Sequence, residues 1–81
     1  MTYIVIELQT AANGAVGNFI FTYTDRNQAE SKYHLILTSA AVSQVPVHTA
    51  VLMTNEGQLL ERKVYHHAQP EIEPEEEPGE Q

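Results

Sequence analysis

Asn18-Phe19-Ile20-Phe21-Thr22-Tyr23-Thr24 runs directly into Asp25-Arg26-Asn27-Gln28-Ala29-Glu30, and the change of period at Thr24 decides the fold class. The first stretch is aromatic and β-branched throughout and reads as a strand. Its period of two places Phe19, Phe21 and Tyr23 on one face and Ile20 and Thr22 on the other. Thr24-Asp25 then opens a helix. Asp25 with Gln28 three residues on has capping-box spacing, and an acid suits the positive end of the helix dipole. Ala29, Tyr33, Ile36, Leu37, Ala40 and Ala41 recur at helical spacing as one buried stripe. Arg26, Gln28, Glu30, Ser31, Lys32, His34 and Ser39 supply the wet side. Pro46 restricts the residue before it, so the helix is expected to end near Ser43.

Upstream, Tyr3 to Gln9 reads as another strand, with Ile4, Ile6 and Leu8 on one face and Tyr3, Val5, Glu7 and Gln9 on the other. Asn13-Gly14 between the two strands is a turn signal, and Asn13 to Asn18 reads as a long hairpin loop. Downstream, Val47 to Asn55 is a third strand and Asn55-Glu56-Gly57 a turn. Gln58 to His66 is a fourth strand, expected to carry Leu60 and Val64 on one side and Leu59 and Tyr65 on the other. The order is ββαββ. The expected fold is α+β: an antiparallel four-stranded sheet of two hairpins with one helix packed on one face.

The chain has 81 residues, enough for one small domain. From Ala68 its character changes. Residues 1–68 are expected to form the α+β domain and 69–81 a disordered tail rich in Pro and Glu. Prolines 70, 74 and 78 oppose both strand pairing and helix propagation, and charge repulsion opposes collapse. The whole chain carries 11 acidic and 4 basic residues, a net charge of −7. Six of the acids, Glu71, Glu73, Glu75, Glu76, Glu77 and Glu80, lie in the tail, leaving five acids and four bases, or −1, for the body. A nearly neutral body has no basic patch for nucleic acid.

Several chemistries are excluded or disfavoured by residue content. The absence of cysteine removes disulfides, thiolate nucleophiles and Cys-ligated metals. No apolar run approaches the ~20 residues of a membrane-spanning helix. The N-terminus has no basic region before its apolar stretch, so a cytoplasmic location is expected. The four histidines, His34, His48, His66 and His67, lack zinc-site spacing and read as surface groups, the last two marking a frayed strand end. Ser31, Ser39 and Ser43 sit in no nucleophile elbow, and no acid is placed to orient a histidine for them. The loop Asn13 to Asn18 joins two strands and lacks the Gly-Lys-Ser/Thr ending of a phosphate loop. No catalytic residue, metal ligand or cofactor site is assigned, and an enzyme is not expected.

One helix cannot cover both faces of a four-stranded sheet. With Ile4, Ile6 and Leu8 under the helix, Tyr3 and Val5 lie on the free face. Depending on register, that face also takes Phe19, Phe21 and Tyr23 or Ile20 and Thr22, Ala50 and Leu52 or Val51 and Met53, and Tyr65 or Val64. Every assignment leaves large apolar side chains uncovered, and such patches mark interfaces. The expected interface is Tyr3, Val5, Phe19, Phe21, Tyr23 and Tyr65. A domain without other staples is expected to be a homo-oligomer, most simply a dimer, joined through this face or a strand edge. The bland alternative is an ordinary half-wet antiparallel sheet.

The run Tyr23-Thr24-Asp25-Arg26-Asn27-Gln28-Ala29-Glu30-Ser31-Lys32-Tyr33-His34, followed by Val45-Pro46-Val47-His48-Thr49-Ala50-Val51-Leu52-Met53-Thr54-Asn55-Glu56-Gly57, resembles short uncharacterised reading frames of prophage and mobile-element regions of intestinal bacteria. The resemblance covers Met1 to about His67 and excludes the tail. It implies a phage-associated accessory or structural protein and carries no activity, cofactor or site residue. Two functions are therefore expected. One is a non-enzymatic structural or protein-interaction module that self-associates. The other is an acidic inhibitor or adaptor that engages a basic host protein through Glu71 to Glu80.

Overall fold

The computed structural model describes residues 1–67, so the expected tail and the acidic partner-binding residues within it lie outside the described residues. The elements are β1 (Tyr3–Thr10), β2 (Val16–Tyr23), α1 (Arg26–Ala41), β3 (Val47–Thr54) and β4 (Leu59–His66). They form the expected ββαββ order in a single antiparallel sheet with strand order β2-β1-β3-β4. The two hairpins meet through their first strands, β1 and β3.

Both hairpins close in the same way. Gly14 N–H donates to Ala11 O at 2.9 Å and Ala11 N–H to Ala15 O at 2.8 Å, around Ala12-Asn13-Gly14. Gly57 N–H donates to Thr54 O at 3.0 Å and Thr54 N–H to Gln58 O at 2.9 Å, around Asn55-Glu56-Gly57. Gly14 (φ 89°) and Gly57 (φ 88°) each take the left-handed conformation that ends such a three-residue loop. The first loop is therefore shorter than the sequence implies. Gly17 needs no positive φ and belongs to β2, opposite Gln9.

Asp25 caps α1, its Oδ1 accepting from Asn27 N–H at 2.9 Å. The helix buries Ala29, Tyr33, Ile36 and Ala40 against Val5, Ala50 and Leu52, with Tyr3, Phe21, Tyr23, Leu37 and Leu60 packed around them. Ala41, at the end of the expected stripe, is exposed because the chain turns away there.

The register corrects the assignment of faces. Tyr3, Val5, Glu7 and Gln9 oppose Tyr23, Phe21, Phe19 and Gly17 of β2 and Thr54, Leu52, Ala50 and His48 of β3. Directly opposed residues share a face, so this set lies on the helix side. Ile4, Ile6 and Leu8 lie on the free side. The even row of β1 (Ile4, Ile6, Leu8) is the more apolar, and the covered odd row carries Glu7 and Gln9, so apolar content alone points to the other face. The choice falls to topology: β2 and β3 run parallel, each being antiparallel to β1, and α1 is the crossover between them. Such crossovers are right-handed almost without exception, and handedness therefore selects the covered face.

A second correction concerns β4. Its register shifts between Leu52↔Glu61 and Met53↔Leu59, leaving Leu60 as a bulge. One extra residue inverts the alternation beyond it. Leu60 and Tyr65 thus belong to the helix side, and Leu59 and Val64 to the free side, where strict alternation pairs them the other way.

Leu52 is fully buried at the centre of the sheet. Leu52→Ala should lower the unfolding free energy by about 2–5 kcal/mol, measured by urea denaturation. Burial raises the pKa of the Tyr33 phenol above its ordinary value of 10.0, and the charges of Glu61 and Tyr65 add to the effect. The fold thus prefers the neutral phenol. Its contribution is fully present below the unfolded value and is lost as pH rises through the folded one. Tyr33→Phe should flatten the fall in stability above pH 10 seen in denaturation curves at stepped pH.

Candidate functional site

Two features are candidates: a polar chain under the end of the helix, and the uncovered face of the sheet.

The polar chain joins three elements. Glu7 on β1 and His48 on β3 are diagonal neighbours on the helix side, because Glu7 opposes Ala50 and Gln9 opposes His48. Glu7 Oε2 lies 2.6 Å from His48 Nε2, and Gln9 Nε2 donates to the same oxygen at 3.1 Å. His48 Nδ1 lies 3.0 Å from Ser43 Oγ, just after α1. Ser43 Oγ also accepts from Val45 N–H at 3.3 Å. One arrangement of protons satisfies every group: Nε2–H donates to the carboxylate, and the Ser43 hydroxyl donates to Nδ1. His48 is only 3% exposed, so leaving either ring nitrogen unpaired would be costly.

This corrects the reading that no acid orients a histidine and that the histidines are surface groups. Glu7 does orient His48, and His48 is buried. His67 is also engaged: its Nε2 lies 2.8 Å from Ala40 O, its N–H donates to Pro46 O at 2.8 Å, and its ring stacks on Tyr65. His66 and His34 are exposed as expected. The available signal was Glu7, a charged residue within an apolar strand. Its partner lies 41 positions away, beyond local patterning.

Serine, histidine and carboxylate in series are the order of a nucleophile, base and orienting acid. The surroundings oppose that chemistry. An acyl-transfer site needs free N–H donors for a developing oxyanion. Ser43 N–H already donates to Ala40 O and Val45 N–H to Ser43 Oγ itself. Ser43 also follows the C-terminal end of α1, where the helix dipole disfavours negative charge. What the chain does well is tie the end of α1 to the two central strands. His67 adds a second tie from beyond β4.

The free face is different in kind. Reading across the register, its rows are Thr22-Ile4-Met53-Leu59, Ile20-Ile6-Val51-Arg62, Asn18-Leu8-Thr49-Val64 and Val16-Thr10-Val47-His66. Ten of these sixteen positions are apolar, and Arg62 is the one Lys, Arg, Asp or Glu among them. Ile20, Leu59 and Val16 are exposed by more than half.

Of the six residues expected at an interface, Val5 is fully buried in the core, and Tyr3, Phe21 and Tyr23 pack against it. Tyr65 is half-buried beside His67. Phe19 alone is strongly exposed, at 51%, on the helix side but at the sheet edge. The expectation of an uncovered apolar sheet face stands, with a different set of residues on it.

No protein-family model matches the chain, and neither the curated proteins nor the solved structures hold a match to it. Among the described residues, no helix is long and apolar enough to cross a membrane, and no three His, Cys, Asp or Glu side chains group as a metal site would require.

A polar chain that ties the end of α1 to β1 and β3 should show a specific pattern of stability. His48→Leu alone should cost about 1–3 kcal/mol, because Glu7 is left without its buried partner. Adding Glu7→Leu to that variant should recover part of the loss, and a double-mutant cycle in urea should show coupling between the two. Additive losses would mean that the pair contributes no joint stabilisation.

Proposed function

We propose that this protein is a non-enzymatic structural module that assembles with further copies of itself through the helix-free face of its sheet. The observation that carries the reading is the composition of that face, centred on Ile4, Ile6, Leu8, Ile20, Val51 and Met53. An ordinary half-wet sheet alternates apolar-in with polar-out. Here the outward row is as apolar as the inward one.

Size favours a second copy as the covering partner. Four eight-residue strands present a face of about 19 × 26 Å, or about 500 Å². Stacking two such faces removes about 1,000 Å² in total, which reaches the lower bound for a specific interface. With Arg62 its one such charge and near one edge, the face meets its own copy without a central like-charge clash. A phage-associated accessory role is in keeping with an assembling module of this kind.

The test is mass in solution. Wild-type protein should exceed the single-chain 9.1 kDa by light scattering, rising with concentration. Ile6→Lys should shift it toward the single-chain mass while leaving the circular dichroism spectrum unchanged. A wild-type chain that stays monomeric at millimolar concentration would refute the reading.

The acidic adaptor is the second reading, supported by the six glutamates between Glu71 and Glu80. Removing residues 70–81 should abolish capture of basic host proteins if the segment binds them, and undiminished capture would dismiss it.

A further inference from the structure

The two edges of the sheet are built differently. β4 carries Glu61-Arg62-Lys63 and the Leu60 bulge, the two devices that discourage edge-to-edge pairing. β2 (Val-Gly-Asn-Phe-Ile-Phe-Thr-Tyr) carries no charge and no proline, and it pairs with β1 without a shift from Thr10↔Val16 to Tyr3↔Tyr23. Its outer edge is regular and long, and nothing among the described residues covers it.

The hydrogen-bond phase of the sheet shows which β2 groups face outward. Ala11 N–H donates to Ala15 O, making Ala11/Ala15 a hydrogen-bonded pair. Bonded and non-bonded pairs alternate along an antiparallel ladder. Gly17, Phe19, Phe21 and Tyr23 therefore bond to β1. The phase is consistent across the sheet: Asn55 N–H donates to Thr2 O at 2.9 Å, which turns the even-numbered residues of β1 toward β3. The N–H and C=O groups of Val16, Asn18, Ile20 and Thr22 thus point away from the sheet.

We propose that β2 pairs antiparallel with β2 of a second copy about a twofold axis at Phe19, joining two sheets into one of eight strands. The proposal shares the premise of self-association with the reading above but uses the edge of the sheet, not its face. The outward residues 16, 18, 20 and 22 are spaced evenly about position 19. Only the register centred there pairs Val16 with Thr22 and Asn18 with Ile20 in both directions, satisfying all four N–H and all four C=O groups of each copy.

The side chains fit the same axis. Phe19 meets its own copy in a non-hydrogen-bonded pair, where side chains approach most closely and aromatic pairs are favourable. Gly17, which has no side chain to pack, faces Phe21 of the other copy, an aromatic covering a glycine. No charged residue of β2 opposes its own image. The helix packs chiefly over β1 and β3 and reaches β2 with Lys32, whose Nζ lies 4.1 Å over the Phe21 ring. A foreign strand would need none of this self-complementarity, so a second copy is the occupant the edge fits.

The chain has no cysteine, so a single introduced thiol reports the axis directly. In a non-hydrogen-bonded pair the Cα atoms lie about 4.5 Å apart, within disulfide range. Phe19→Cys should crosslink to a covalent dimer under mild oxidation, at least ten-fold faster than Asn18→Cys, whose image faces Ile20. Phe19→Lys should abolish the edge dimer. Position 19 is half exposed in the single chain, so either variant should keep its circular dichroism spectrum. In an Ile6→Lys background, which disrupts the free face alone, the Phe19→Cys crosslink should persist. Equal crosslinking at positions 18 and 19 would overturn the proposal. So would an assembly that survives Phe19→Lys yet dissociates with Ile6→Lys, an outcome that leaves face stacking intact. A monomer at millimolar concentration would end both.

Discussion

The pairing of β1 with β3 is the contact on which the rest of the structure depends. Each hairpin closes locally around a three-residue loop, but a lone two-stranded hairpin is marginal in water. The eight-residue register from Tyr3↔Thr54 to Thr10↔Val47 joins the two hairpins into one sheet. It is formed between segments separated by the whole of β2 and α1, so its loop-closure cost must be met by what it brings together. Val5, Ala50 and Leu52 line up only when that register forms, and they are the floor on which α1 rests.

The same register creates the polar chain. It sets Glu7 diagonally across from His48, and the turn after α1 delivers Ser43 to the other ring nitrogen. A buried polar network stabilises only when fully satisfied, and otherwise penalises the state that contains it. A slip of one residue between β1 and β3 would separate Glu7 from His48 and put them on opposite faces. The chain therefore discriminates among registers in a sheet whose two faces are otherwise nearly equal in apolar content. Setting the register accounts for Ser43, His48 and Glu7 standing in contact in that order, with the Ser43 and Val45 N–H groups already engaged.

Placing the more apolar row of β1 on the side away from the helix has a consequence at the surface. The covered face supplies the core, and the other carries Ile4, Ile6, Leu8, Ile20, Val51 and Met53, of which Ile20 is strongly exposed and the others half-buried. With β4 blunted by charge and a bulge while β2 is left plain, the described residues present one protected edge, one open edge and one uncovered face. Pairing at the open edge would place two uncovered faces side by side, doubling the width available for stacking.

The sequence by itself determined the elements and their order. Asp25 as the helix cap, Asn13-Gly14 and Glu56-Gly57 as turns, and the strand periods around them depend on interactions within a few residues, and all are present in the structure. It also determined that some apolar face would remain uncovered, because one helix is too narrow for two faces. Tertiary structure decided which face. That choice depends on strand order and crossover handedness, and neither leaves a mark on the period of β1. It also decided the side taken by Leu60, through a bulge that strict alternation does not contain, and the burial of His48, whose partner Glu7 is 41 residues distant. Local patterns carry local energies; these three outcomes are set by contacts between segments that meet only once the sheet is assembled.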